Sequence, residues 1–211
     1  MATRDGPPVT VANFYTPNGP YPKYAQGLRD SCKRLKVPCM SIEVKDQGSW
    51  VANCATKGIF MEQVMRIMAR PLLWIDADAT LNERPTILRD CGADFGVYAF
   101  AGPRRRTACG RVINLPDEFH DPPKWFNSGT IYFNNTTGGL DMLTRWAELC
   151  RSERGLWDQW MLQQAWCDVR PITLWLPQSY CAIRGRCGAG RDNKPVVTHR
   201  LASVEQRVDR G

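Results

Sequence analysis

Histidine is scarce in this sequence, because the 211 residues include only His120 and His199. A metal site built from several histidines is therefore excluded. No Cys-x-x-Cys pair occurs, and the cysteine count of nine is odd, which argues against a structural zinc site and a disulfide framework. We expect most of the cysteines to be reduced and buried.

Long apolar runs are also missing. No run approaches the roughly 18 residues that a membrane span needs, and the N-terminal Met-Ala-Thr-Arg-Asp-Gly-Pro-Pro has no apolar signal-peptide core. We therefore expect a cytoplasmic protein (in the infected host cell if it is viral) with no membrane partner, and nothing indicates a protein partner. The length predicts one domain over residues 9–200, between a flexible N-terminal tail, 1–8, and a basic C-terminal tail, 201–211.

Positive charge is in excess, with a formal net charge of +7 and a pI of about 9.0. Arg104, Arg105 and Arg106 form a cluster in the middle of the chain. A basic surface favours a polyanionic partner such as nucleic acid or a phosphorylated sugar. Solubility alone is the alternative explanation of such a charge.

Apolar periodicity alternates between strand and helix in the first half of the chain and is mixed in the second half. This order predicts the α/β class, with a mixed, mostly parallel sheet flanked by helices. Residues 50–57 are expected to be irregular. The predicted strands are 9–16, 40–45, 72–75, 94–100, 125–134 and 173–183, and the predicted helices lie near 22–35, 60–68, 140–150 and 156–167.

A pair of aspartates follows the apolar strand Leu72–Ile75. In extended chain, residues i and i+2 face the same side, so Asp76 and Asp78 should lie together at the strand end. Neighbouring carboxylates repel each other unless a positive charge separates them, and oxygen ligands suit a hard divalent cation. A metal site and a solvated turn are the two interpretations.

Three further motifs and a late histidine follow in order: Phe-Asn-Ser-Gly at 126–129, Trp-Asp-Gln at 157–159, Leu-Pro-Gln-Ser-Tyr at 176–180, and His199. With Asp-Ala-Asp at 76–78, this order resembles the nucleotide-sugar glycosyltransferases of the GT-A (Rossmann-like) fold. The resemblance covers about residues 9–200. It departs at the late histidine, where Lys194-Pro195 precede His199 and no tryptophan follows.

The resemblance implies a nucleotide-sugar donor, such as UDP-glucose, and a divalent metal, Mn²⁺ or Mg²⁺. Asp76, Asp78 and His199 would bind the metal, which would act as a Lewis acid on the leaving diphosphate. A surface histidine is the alternative for His199. The implied donor-binding residues are Tyr15, Thr16, Lys57, Asp76, Ser128 and Gly129.

The resemblance also implies that Asp158, Gln159 and Asn127 are catalytic, with Asp158 facing the sugar or acting as a general base. Asp158 is equally expected as a first-turn charge of a helix, and Asn127 to Gly129 as a turn into a strand. The Asn-Ser-Gly and Asp-Gln motifs are reminiscent of families that retain the anomeric configuration.

The acceptor is open to several interpretations. The chain resembles compact bacteriophage glycosyltransferases that modify DNA, and its charge fits duplex DNA carrying 5-hydroxymethylcytosine or a related base. Arg104–Arg106 would bind acceptor or donor phosphate, and Trp50 and Trp125 would stack on bases unless they pack in the core. A polysaccharide or protein acceptor, a sugar nucleotidyltransferase and a nucleic-acid-binding module without catalysis are the alternatives.

Overall fold

A six-stranded mixed sheet forms the centre of the protein in a computed structural model that describes residues 9–101, 124–153, 155–183 and 194–200. Its strands are β1 (Thr10–Tyr15), β2 (Cys39–Glu43), β3 (Leu72–Ile75), β5 (Phe95–Ala101), β6 (Lys124–Phe133) and β7 (Thr173–Trp175). The strand order is β2-β1-β3-β6-β5-β7, and β6 runs antiparallel to its neighbours while the other pairings are parallel. The mostly parallel sheet expected from the sequence is confirmed.

Helices cover both faces of this sheet because successive strand residues alternate between the faces. The helices are α1 (Tyr21–Arg34), α2 (Trp50–Met68), α3 (Thr137–Ser152) and α4 (Asp158–Val169). On one face, residues such as Phe14 and Trp74 pack in a core with helices α2, α3 and α4. On the other face, Val11 and Leu73 pack against Leu28 and Cys32 of helix α1.

A second, three-stranded sheet was not predicted from the sequence. It has the order β4-β9-β8 and consists of β4 (Ala79–Leu81), β9 (Val197–His199) and β8 (Ala182–Ile183). Strand β9 runs antiparallel to β4, with Ala79 opposite His199. This pairing brings the end of the described chain next to the residues that follow β3.

Three local predictions were wrong. Helix α2 begins at Trp50, where the Ser49 hydroxyl caps it by accepting from the Ala52 N–H, so residues 50–57 are not irregular. The expected strand over 173–183 is interrupted after Trp175, since Pro177 has no N–H to donate to a sheet. The Asn127–Gly129 stretch lies inside β6 and is not a turn that precedes it.

The described cysteines and helices bear on the expectations about disulfides and membrane spans. Their seven cysteines, at 32, 39, 54, 91, 150, 167 and 181, form no disulfides. No helix in the described part of the chain is long and apolar enough to cross a membrane.

Gly139 should be intolerant of a side chain. A Cβ there would collide with the carbonyl oxygen of Asn134, a backbone atom that cannot rotate away. We expect Gly139→Ala to lower the free energy of unfolding by about 1–3 kcal/mol, measured by urea denaturation. Gly27→Ala, in open space on α1, is the matched control and should raise stability by up to about 1 kcal/mol. Equal changes in the two variants would contradict the expected collision.

Candidate functional site

The two aspartates of the Asp-Ala-Asp motif are brought together by a tight turn. Strand β3 ends at Ile75, and the Ala79 N–H donates to the Asp76 carbonyl at 3.0 Å, which closes a turn over Asp76–Ala79. The extended geometry predicted for this motif is therefore wrong, although the proximity of the carboxylates is as expected. Ligand atoms of Asp76, Asp78 and His199 all lie within 4.8 Å of one another.

His199 reaches this cluster from the far end of the chain because β9 pairs with β4. It is 5% exposed, so it is a core residue and not a surface histidine. Its Nε2 lies 2.9 Å from the Thr130 hydroxyl of β6. Burial lowers the pKa of His199, although Asp76 and Asp78 oppose this effect, so the neutral imidazole that binds metals is favoured.

Lys57 of α2 forms a buried ion-pair cluster beside these residues. Its Nζ lies 2.9 Å from Asp76 Oδ1 and 3.0 Å from Asp158 Oδ2, and it donates to the Ser128 carbonyl at 3.4 Å. An ammonium group has three N–H donors, and these contacts supply three acceptors. Burial would lower the pKa of Lys57, but the neighbouring Asp158 and Asp76 carboxylates hold this pKa well above its ordinary value. Lys57 is therefore charged, and it lies buried within α2 instead of being solvated at the surface.

The formal charges of this cluster do not cancel. Counted over these described residues alone, Asp76, Asp78 and Asp158 contribute −3 and Lys57 contributes +1, which leaves −2 with a neutral His199. Carboxylates held so close together favour a cation between them. Two carboxylates and one imidazole are a ligand set that suits a divalent metal.

A bulge in β6 completes the floor of the cluster. The pairing of β6 with β5 shifts register between Val97 and Tyr98, whose partners are Ile131 and Asn127. Gly129, inside the bulge, accepts from the Asp76 N–H at 2.9 Å, and its own N–H donates to Asn127 Oδ1 at 2.8 Å. The bulge thus brings Asn127, Ser128 and Gly129 against the aspartate turn.

Three of the remaining predicted site residues, Tyr15, Thr16 and Gln159, lie in the described part of the chain. Tyr15 ends β1, where the Arg29 guanidinium lies 5.6 Å from its ring centre, and Thr16 follows it in a buried position. Gln159 is half-buried in the first turn of α4, next to the buried Asp158. Arg104, Arg105 and Arg106 lie outside the described residues, as do the predicted tails.

Four residues of the site were missed in the sequence. Trp74 donates from Nε1 to Asp76 Oδ1 at 2.9 Å, a contact that the i, i+2 spacing could have indicated. Thr130 bonds His199, and Cys54 lies one turn of α2 before Lys57. Tyr21, at the start of α1, is close enough to Asp78 for this carboxylate to add to the effect of burial, and together they raise the pKa of Tyr21 to about 12. No sequence signal marks Tyr21 beyond its position at the start of α1.

Comparison with known proteins identifies the family. The sequence profile of the nucleotide-diphospho-sugar transferases matches residues 71–203, which include the aspartate turn, the β6 bulge, Asp158 and His199. The chain belongs to this family. It is a nucleotide-sugar glycosyltransferase, and the expected GT-A fold is confirmed. No curated protein sequence matches it.

Solved glycosyltransferases share the fold at low sequence identity. A glycosyltransferase involved in glycosylation of the major capsid of PBCV-1 has 11% identity and a TM-score of 0.60, over 96% of this chain and 99% of that one. Mouse xyloside xylosyltransferase 1 has 13% identity and a TM-score of 0.55, over 92% and 98%. GlyE of Streptococcus pneumoniae TIGR4 has 13% identity and a TM-score of 0.52, over 94% and 60%.

Removing the Lys57 charge should destabilise the transferase strongly. Lys57→Met leaves Asp158, which is 3% exposed, without its buried counter-charge. We expect a loss of about 3–5 kcal/mol in the free energy of unfolding, measured by urea denaturation. The control Arg145→Met breaks surface ion pairs with Asp168 and Glu148 and should cost less than about 1 kcal/mol. Similar losses of unfolding free energy in both variants would show that the buried ion pairs stabilise the fold no more than the surface pairs do.

Gly129 should be needed for the position of His199. A Cβ at Gly129 would lie 2.8 Å from His199 Cε1 and 2.9 Å from Asn127 Oδ1, so the imidazole would have to move. We expect Gly129→Ala to weaken Mn²⁺ binding roughly 10-fold or more, as loss of ligand orientation commonly does. Electron paramagnetic resonance of free Mn²⁺ provides the measurement. Gly155→Ala, in open space, should bind as the wild type does, and unchanged binding in Gly129→Ala would contradict the proposed ligand geometry.

Proposed function

We propose that this protein transfers a sugar from a nucleoside-diphosphate sugar, with UDP as the nucleotide, to a hydroxyl acceptor with the help of a divalent metal. One observation carries the proposal: Asp76, Asp78 and His199 converge at the end of β3, beside the buried Lys57 and Asp158. Ends of parallel strands are the usual place for ligands in such sheets.

The residues of this cluster fit a divalent cation. Two carboxylates and a neutral imidazole are within reach of one another, and the cluster keeps a formal charge of −2. Asp76, Asp78 and His199 would hold the ion, with Mn²⁺ or Mg²⁺ as the proposed metal. When bound, the metal supplies the positive charge that stabilises the diphosphate as it leaves.

Lys57 and Trp74 position the Asp76 carboxylate, because both contact its Oδ1 atom. Such outer contacts fix the orientation of a metal ligand. This suggests that Lys57 acts by holding Asp76 and Asp158 in place, whereas its direct contact with the donor diphosphate remains a prediction. The Tyr15–Thr16 strand end is proposed to contact the nucleotide.

Asp158 and the β6 bulge supply polar groups close to the same cluster. Asp158 begins α4, where the Trp146 indole N–H donates to its carbonyl at 3.0 Å and Lys57 pairs with its carboxylate. We propose that Asp158, Gln159 and Asn127 face the sugar, with Ser128 and Gly129 contributing backbone. The Asn-Ser-Gly and Asp-Gln motifs favour retention of the anomeric configuration.

Two classes of acceptor are candidates. Duplex DNA with hydroxymethylated bases is favoured by the net charge of +7 and by Arg104–Arg106. A saccharide or protein acceptor is favoured by the similarity to a glycosyltransferase involved in the glycosylation of a major capsid and to a xyloside xylosyltransferase.

Donor turnover tests the proposal directly. The protein is incubated with Mn²⁺ and a panel of UDP- and GDP-sugars, and release of nucleoside diphosphate is measured with water as the acceptor. We expect slow release from one donor class, and a loss of at least roughly 100-fold in Asp78→Ala because the diphosphate charge is no longer stabilised.

Asp30→Asn is the matched control for the loss of one carboxylate. Asp30 bonds Gln26 on the exposed side of α1 and should not affect release. No release from any donor by the wild-type protein, or equal release by Asp78→Ala, would contradict the proposal. Mass spectrometry of hydroxymethylated DNA after the reaction tests the DNA acceptor separately.

A further inference from the structure

We propose that Trp50 and Trp157 form a platform for a saccharide acceptor next to the transfer site. This inference rests on the proposed function and names the acceptor class of the same site. The two indole rings meet edge to face, with centroids 6.0 Å apart and planes at 89°. Trp50 remains 40% exposed, so part of this aromatic surface faces solvent.

Trp50 and Trp157 each lie on a segment that also carries a residue of the candidate site. Trp157 directly precedes Asp158, whose carboxylate pairs with Lys57. Trp50 lies seven residues before Lys57 on α2, which is about two helical turns and roughly 10 Å along the helix axis. The platform therefore lies beside Asp158, which we propose to face the sugar, and the reactive hydroxyl of an acceptor held there would point toward Asp158.

The chemistry of the two rings fits a sugar. A pyranose has an apolar C–H face and a rim of hydroxyl groups, and the electron-rich face of an indole attracts the former. The Trp157 Nε1–H is buried and has no hydrogen-bond partner among the described residues. Buried donors are normally satisfied, and a ligand hydroxyl that reaches Nε1 after a small ring movement would satisfy this one.

Local charge favours a neutral ligand over a nucleic acid. The segment that leads into α2 carries Glu43, Lys45 and Asp46, a formal sum of −1. Hydrogen bonds from Asn53, Gly48 and Asn18 lower the pKa of Asp46 and keep it ionised, and Asn53 lies on the turn of α2 that follows Trp50. A phosphodiester backbone needs cationic partners, and this segment supplies no net positive charge.

Trp125, the other tryptophan considered for stacking, does not compete for this role. It lies on β6, is 3% exposed, and packs in the core between the sheet and helices α2, α3 and α4. Trp175 is exposed to a similar degree as Trp50, at 48%, but it lies on β7 and packs with Phe126 and Trp166. Trp175 therefore provides a matched control for a half-exposed indole outside the platform.

Indole NMR tests the proposal at the residues themselves. The full chain labelled with ¹⁵N-tryptophan gives one indole signal for each of its eight tryptophans, assigned by Trp→Phe substitutions. The probes are disaccharides of glucose, galactose, mannose, xylose and N-acetylglucosamine, and a duplex oligonucleotide with hydroxymethylcytosine. We expect at least one disaccharide to shift the Trp50 and Trp157 signals and to leave Trp175 unchanged.

Variants then measure the contribution of the aromatic surface. Trp50→Ala should raise the dissociation constant for that disaccharide roughly 10-fold, the size expected when an anchoring tryptophan is truncated. Trp50→Phe should stay within about threefold of the wild type because it keeps an aromatic face. Trp175→Ala should bind the disaccharide as the wild type does.

The outcomes separate this inference from the proposed function. Nucleoside diphosphate release with no shift of Trp50 or Trp157 by any disaccharide overturns the platform and leaves the transferase reaction intact. Shifts without any release keep carbohydrate binding and overturn the proposed reaction. Shifts produced by the DNA duplex and by no disaccharide overturn the saccharide assignment in favour of base stacking.

Discussion

The geometry of the site depends on one buried ammonium group. Lys57 is 7% exposed, and burial of a charge costs several kcal/mol unless partners of opposite charge are held in good geometry. Its partners come from two other elements: Asp76 follows β3, and Asp158 begins α4. The ion pairs therefore fix α2, α4 and the end of β3 relative to one another, and they orient the carboxylate that we assign to the metal.

Backbone contacts hold the other residues of the site in place. The Asp76 N–H is bonded to Gly129 in the β6 bulge, and Gly129 has no side chain where the His199 ring lies. His199 is in turn placed by the pairing of β9 with β4. Segments that are about 50 to 120 residues apart in the chain, from Asp76 and Gly129 to Ala79 and His199, thus meet around one small volume. The three-stranded sheet lies where they meet.

Two kinds of feature of this site could be predicted from the sequence: those set by neighbouring residues, and those set by the order of the motifs along the chain. The strand before Asp76, the closeness of Asp78, and the inclusion of His199 were all expected. The Lys57 ion pairs were not, because nothing local links residue 57 to residue 158. The start of α2 was missed because its buried residues, among them Cys54, Ala55 and Gly58, surround much of the helix and obscure the 3.6-residue period. Asn127 to Gly129 suggested a turn because the residues that favour turns also favour bulges.

The net charge of the whole chain and the charge of the candidate site have opposite signs. The whole chain carries +7, whereas the cluster of Lys57 and three aspartates carries −2. A nucleotide-sugar diphosphate is an anion, so the divalent cation that we propose for Asp76, Asp78 and His199 would reverse the local sign and attract the donor. The acceptor does not follow from the net charge, because an acceptor is selected by the surface that it contacts. The surface that we propose for it, at the start of α2, is aromatic.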